Sequence, residues 1–228
     1  GITNTGVLAI TNGATFKVAG GQSISLNQAN TFSSTVTFTP LSGTITAVTI
    51  RDSNALDLKA LTTTGDLTVT AGGAVTQTGT LVIPGTTTIS ASGYAVTLGD
   101  SSNNFGTLAI TGADVTARDT NAIVLGASTV SGTYAVTAGG AVTQSGALAI
   151  TGATTISASG YNVTLNTGAN NFQGAVGITG ATVAVVDAGA IDLGASTVSG
   201  TYTVTATAGG GITNTGVLAI TNGATFKV

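Results

Sequence analysis

The chain alternates apolar and polar residues in very short runs. Leu108-Ala109-Ile110-Thr111, Asp114-Val115-Thr116-Ala117 and Tyr134-Ala135-Val136-Thr137 each put side chains on two faces with a period of two, the pattern of a half-buried strand. Gly, Asn, Asp and Ser stand between these runs and supply turns. The apolar beats fall at Leu108 and Ile110, Val115, Ile123 and Leu125, Val130, Val136, Val142, then Leu148 and Ile150, six to eight residues apart. No segment is long enough for a crossover helix. Three beats make a coil of roughly 20 to 23 residues, which predicts an all-β fold, a single-stranded parallel β-solenoid with three strands per coil. With coils about 4.8 Å apart, about ten coils per long period predict a rod segment roughly 45 to 50 Å long.

Repetition organises the chain. Residues 1–18, GITNTGVLAITNGATFKV, return unchanged at 211–228, so the 228 residues hold one 210-residue period and the start of the next. Such a chain is expected to be a window of a longer tandem array. Inside the period AGGAVTQ at 71–77 recurs at 138–144, TTISASGY at 87–94 recurs at 154–161, and LGASTVSGTY at 125–134 recurs at 193–202. Three modules of similar length follow: a divergent copy over 1–70, then 71–137 and 138–207, with 208–228 opening the next period. They are expected to form one continuous rod rather than separate domains.

Composition narrows the chemistry. There are 34 Gly and 47 Thr, only 6% charged residues, and a net charge of -3. All eight acids are Asp, and there is no His, Cys, Met or Trp. A Ser-His-Asp triad, a Cys nucleophile and the common zinc sites are therefore excluded, and no enzyme activity is expected. The charge is too small and of the wrong sign for nucleic acid. No apolar run reaches the roughly 18 residues of a membrane span, and no charged region precedes an apolar stretch at the start, so any export signal is expected outside these residues. A chain exported unfolded gains by having no thiols to cross-link.

The residues that align between modules are the candidates for a site or a structural ladder. Phe32, Phe105 and Phe172 fall in NTF, NNF and NNF, where core stacking at a turn is the main reading and an exposed sugar-binding platform the lesser one. Tyr94 pairs with Tyr161, and Tyr134 with Tyr202, as turn or packing residues. Asp52, Asp119 and Asp187 align in RDSNALDL, RDTNAIVL and VDAGAIDL. A module is about three coils, so these carboxylates are expected roughly 14 Å apart, too far for a glycosidic pair, and each reads as a turn-forming side chain, with weak metal binding the lesser reading. No cofactor or metal is expected. AGGG at 208–211 lacks the rest of a phosphate loop, Asn162-Val163-Thr164 is a weak glycosylation match, and Pro40 and Pro84 belong at coil corners. Thr-rich runs at 35–39, 62–64, 86–88 and 201–207 do not recur once per coil, so no flat Thr array is expected.

Phrases such as VTAGGAVTQSGALAITG, NNFQGAVGITG and AGAIDLGASTVSG resemble the repeats of the filamentous haemagglutinin family, bacterial exoproteins of the two-partner secretion type, and are similar to autotransporter passengers. The resemblance covers essentially the whole chain. It implies a right-handed β-helix, export through an outer-membrane β-barrel partner, and a place on the bacterial cell surface. The expected function is a structural repeat of an extracellular filament or adhesin stalk, whose partners are further copies end to end. Mean hydropathy of +0.49 and few charges also suggest side-by-side association of rods. The alternative is a module binding surface glycans or host surfaces; a polysaccharide-cleaving β-helix enzyme is more remote.

Overall fold

The computed structural model describes residues 1–207 and 209–228. It holds thirty β-strands among these residues, every pairing between them parallel, stacked as a solenoid of about eleven turns. A representative coil runs through Leu67–Ala71 and Val75–Gln77 into the first arm of Leu81–Ser90, whose register breaks between Ile83 and Thr86. Pro84 lies in that break, and Pro40 ends Val36–Pro40, so neither ring displaces a needed ladder donor. Ile24–Phe32 and Asn104–Gly112 bend likewise. Counting these three strands as two arms each gives 33 arms, three to a coil.

Period-two alternation decides which side chains enter the rod. Leu26, Ile50, Val69, Ile89 and Ile110 are consecutive rungs of one inner row, each at most 1% exposed. Ala117, Val136, Ile156 and Ile178 form another. The intervening residues face outward, and here the structure differs from the expectation for the Thr runs. Thr49, Thr68 and Thr88 stack in one outer row, and Thr70, Ser90 and Thr111 in the next. Rungs in these rows recur at unequal intervals along the chain and mix Thr with Ser, which conceals the short array from a search for Thr-x-Thr.

Coil length varies more than expected, short at the Leu108↔Leu125 step and long at Ile24↔Val48. The short steps mark an exchange of faces. Asn104–Gly112 pairs near its middle with Ile123–Leu125 and at its end with Ser128–Val130, so one strand is followed by two. In the same turn the arm at Phe105 has no strand stacked beyond it, and a corner at Asp119 takes its place. Val176–Gly180 divides in the same manner onto Ile191–Leu193 and Ser196–Val198, as the arm at Phe172 gives way to Asp187.

Each module therefore contributes ten arms to a three-armed coil, or three and one third turns. Equivalent residues of successive modules land one face apart. Val75 stacks between Leu56 and Val96, whereas its counterpart Val142 stacks between Ile123 and Val163 on another ladder. Three modules make thirty arms, a whole number of three-armed coils, while the face exchanges carry Ile2–Thr3 and its counterpart Ile212–Asn214 onto different sheets.

Close approach between coils selects glycine at some corners. A Cβ at Gly146 would fall on the backbone nitrogen and Cα of Ala127 one coil away, and one at Gly79 on those of Ala60. Inner rows should tolerate no charge. Val136→Asp should lower the unfolding free energy by at least about 3 kcal/mol or prevent folding, because it leaves an unpaired buried carboxylate. Thr137→Asp, one residue on and facing solvent, should change it by less than about 0.5 kcal/mol. Denaturant unfolding of the two variants checks this.

Candidate functional site

The face exchanges gather the aligned residues. Where an arm ends without a strand stacked beyond it, its main-chain N–H would be orphaned inside the rod, at a cost of about 1–3 kcal/mol. The aligned aspartates supply the missing acceptor. Asp119 Oδ1 accepts the N–H of Phe105 at 2.7 Å, Asp187 Oδ1 that of Phe172 at 2.8 Å, and Asp52 Oδ1 that of Phe32 at 3.2 Å. Each carboxylate also closes its own turn, accepting from Asn121 at 3.1 Å, Gly189 at 2.9 Å and Asn54 at 3.2 Å respectively. The Phe and Asp sets, which the sequence presents as separate columns, thus form three Phe-Asp corners.

A second set of buried polar residues, not singled out from the sequence, completes each corner. Asn30, Asn103 and Asn170, two residues before each Phe, are wholly buried. Asn103 Oδ1 accepts the N–H of Leu81 at 2.9 Å and Asn170 Oδ1 that of Leu148 at 3.0 Å, while Asn30 Oδ1 accepts that of Leu8 at 3.0 Å. Gln77 and Gln144 bond their Asn partners through both amide groups, and Asn4 donates to Asn30 at 2.7 Å. The signal was present: 4 and 30, 77 and 103, and 144 and 170 share one separation of 26 residues.

Dividing strands leave a different orphan. Between the two daughter strands the N–H of Ile110 has no ladder partner and donates to Ser128 Oγ at 3.0 Å, and Ser128 in turn donates to the Gly126 carbonyl at 3.1 Å. Ile178, Ser196 and Gly194 repeat this arrangement. Tyr134 and Tyr202 are buried near these serines. Burial pushes both phenols up, Tyr202 to about 12, against a smaller opposing influence from the serine hydroxyls.

The other candidates sit apart. Tyr94 and Tyr161 are 47% and 48% exposed and follow Gly93 and Gly160, whose φ of +79° and +80° suits the third position of a type II turn. Of the aromatic columns these two alone reach the surface, since the three Phe are at most 3% exposed. Asp57 and Asp192, five residues beyond Asp52 and Asp187, point outward instead. Asp57 accepts from Thr76 and Thr78 and pairs with Lys59 at 2.6 Å, and Asp192 accepts from Thr213 and Thr215. Burial raises the Asp57 pKa, but the hydrogen bonds from Lys59, Thr78 and Thr76 together outweigh it and hold the carboxyl below its usual range. For Asp119 burial dominates over the two main-chain donors and raises the pKa.

These corners are what the arrangement builds: carboxylates and carboxamides closed off from solvent and engaged with the main chain of adjacent coils. Asp119 and Asp187, 4% and 0% exposed, have both oxygens occupied by main-chain N–H groups. Among the described residues no three His, Cys, Asp or Glu side chains converge.

The fold and its corners define a β-solenoid repeat protein. Residues 45–111, 112–179 and 180–228 each match the family described as Repeats of unknown function (DUF5649), and the chain belongs to that family. Each match opens just before an equivalent strand, Val48–Asp52, Val115–Asp119 or Val183–Asp187. Its phase thus differs from module starts placed at 71 and 138, and the start placed at Ala208 lies outside the described residues. No curated protein and no solved structure matches the chain significantly.

Removing a corner acceptor should destabilise without altering the surface. Asp119→Ala leaves two N–H groups unpaired and should cost about 2–4 kcal/mol, and Ser128→Ala about 1–3 kcal/mol. Folded Asp119 keeps its proton above the ordinary pKa of 3.8, so just above that pH the folded chain binds more protons than the unfolded one. The Asp119 contribution to stability therefore falls as pH rises through that window. The unfolding free energy of the unaltered chain minus that of Asp119→Asn should accordingly decrease as the pH rises above the ordinary value of 3.8, as read by urea unfolding at each pH.

Proposed function

We propose that the chain is a structural repeat of a long extracellular filament or adhesin stalk on a bacterial surface, akin to the filamentous haemagglutinin-type exoproteins it resembles. The observation that carries this reading is the whole-coil period. A repeat of ten complete coils can be added any number of times without leaving a partial coil, so that the product of repetition is length. The polar corners fit the same role: their carboxylates serve the backbone and present nothing to a substrate, and we assign the chain no catalytic activity. Its partners are further copies of the period, joined end to end, with neighbouring rods associating through the weakly charged Thr and Ala faces. The resemblance adds an outer-membrane secretion partner.

Cryo-electron microscopy of surface material from the source cells tests this. The expected result is thin fibres with an axial spacing of about 4.8 Å and a superperiod of roughly 45 to 50 Å. Short soluble rods alone would overturn the filament and favour a secreted module that binds surface glycans.

A further inference from the structure

The first module lacks the divided strand of the other two. Ile110 and Ile178 give their stranded N–H groups to Ser128 and Ser196, each two residues beyond a glycine, Gly126 or Gly194. In the first module these places fall to Phe38, Leu61 and Lys59, as VTFTP over LDLKALT set against VGITG over IDLGAST shows. Val36–Pro40 pairs with the following coil through Val36 and Leu58, and the two coils next meet at the Ile45 and Thr63 bridge. Between these contacts the arms part, and a cleft of about 330 Å³ opens between residues 37–40 and 60–62, lined also by Gly43 and Thr44. Side chains hold the arms apart. Where the third module's strand divides, a Cβ at Gly177 would fall 2.7 Å from the Ala195 carbonyl oxygen, and one at Gly194 3.2 Å from the Gly177 nitrogen. Thr37 and Lys59 place real Cβ atoms at those two positions.

Parting strands leave polar main chain on both walls. Thr35 accepts from Ala14 and Leu41 donates to Val18, both on the preceding coil. Alternation along a parallel strand then turns the N–H and C=O of Phe38 towards the following coil, into the cleft. Leu61 has no hydroxyl to meet them, and Phe38 and Leu61 are only 8% and 4% exposed. On the far wall Leu61 and Thr63 donate onward to Thr80 and Val82, so the N–H and C=O of Thr62 face back across the cleft. A buried main-chain group left unpaired costs about 1–3 kcal/mol, which a guest that pairs it recovers. We propose that the cleft binds the acetamido group of an N-acetylated hexosamine. A trans amide spans the cleft as the missing rung would, its C=O accepting from one wall and its N–H donating to the other, with its methyl against Phe38 and Leu61. Thr37, Thr39 and Thr62 line the cleft and offer hydroxyls to those of the sugar, and Leu41, 70% exposed next to Pro40, gives the ring an apolar edge. Pairing at Val36 and at Ile45 stops the cleft at both ends along the strands, which favours a compact guest over an extended peptide. The volume matches the lower end of small-ligand pockets, which span about 300–1,000 Å³. Such a site goes beyond the filament reading and does not require rods to join.

Titration of the full, isotope-labelled chain with N-acetylglucosamine, followed by NMR, tests this. The amide resonances of Phe38 and Thr62 should shift together and saturate, whereas glucose, which lacks the amide, should leave them in place. Thr37→Gly, Lys59→Gly and Leu61→Ser combined give the first module the residues with which the third closes its divided strand. This variant should stay folded, pair the Phe38 N–H with the new hydroxyl and weaken sugar binding by at least about tenfold. Unmoved resonances, equal shifts with glucose, or undiminished binding by the folded variant would overturn the site. If N-acetylalanine methylamide, a compact peptide amide, moved the same resonances at lower concentration than the sugar, the assignment to a hexosamine would be overturned. Fibres in surface material are a separate observation and decide none of these outcomes.

Discussion

The main-chain N–H groups of the strands must find their acceptors one coil away. In a solenoid the peptide groups lie along the rod axis, so a strand has no neighbour within its own coil to turn to, and the stacked ladder is the only large source of pairing. The abundance of Thr and small residues follows from this, since β-branched side chains suit a pleated, half-buried surface and glycine lets corners approach the backbone beneath. Ten-armed modules wound three arms to a coil cannot keep this ladder intact everywhere. In each module a face is lost, and twice another strand divides in the same turn, and at those places the backbone alone leaves donors without partners.

Side chains resolve the mismatch, and the choice of side chain follows from how many donors are stranded. A lost face leaves the N–H of a Phe beside a turn that also needs an acceptor. A carboxylate serves both, which an alcohol or a single amide oxygen does less well. The chain has only eight acids and sets three of them into its interior for this purpose. Burial of Asp119 disfavours its ionised form, a cost that the two main-chain donors offset only in part. A dividing face strands one N–H, and a serine hydroxyl suffices, accepting from that group and donating to the carbonyl two residues before it.

The coil, the strand alternation and the module period were all legible, because period-two patterning and near-identical repeats survive in Leu108–Ile110, Val136 and the AGGAVTQ segments without any knowledge of contacts. Asp52, Asp119 and Asp187 were legible as turn residues, and they do close Asx-type turns. Their second role was hidden, because Phe105 and Asp119 lie closer along the chain than one ordinary coil, and only the shortened turn brings them together. The Gln and Asn pairs repeat at one fixed spacing but sit at strand ends, bends and turns, where no alternation of apolar residues marks them. The Thr rows stayed hidden for the opposite reason: coil length drifts from rung to rung there, and the eye follows fixed intervals.

The one-third-turn offset between modules also determines how the rod looks from outside. Tyr94 and Tyr161 occupy the same corner of successive modules, yet ten arms separate them, so they point away from the axis in different directions. A feature that appears once per module is therefore spread over more than one face of the rod, and no single side collects every copy of it.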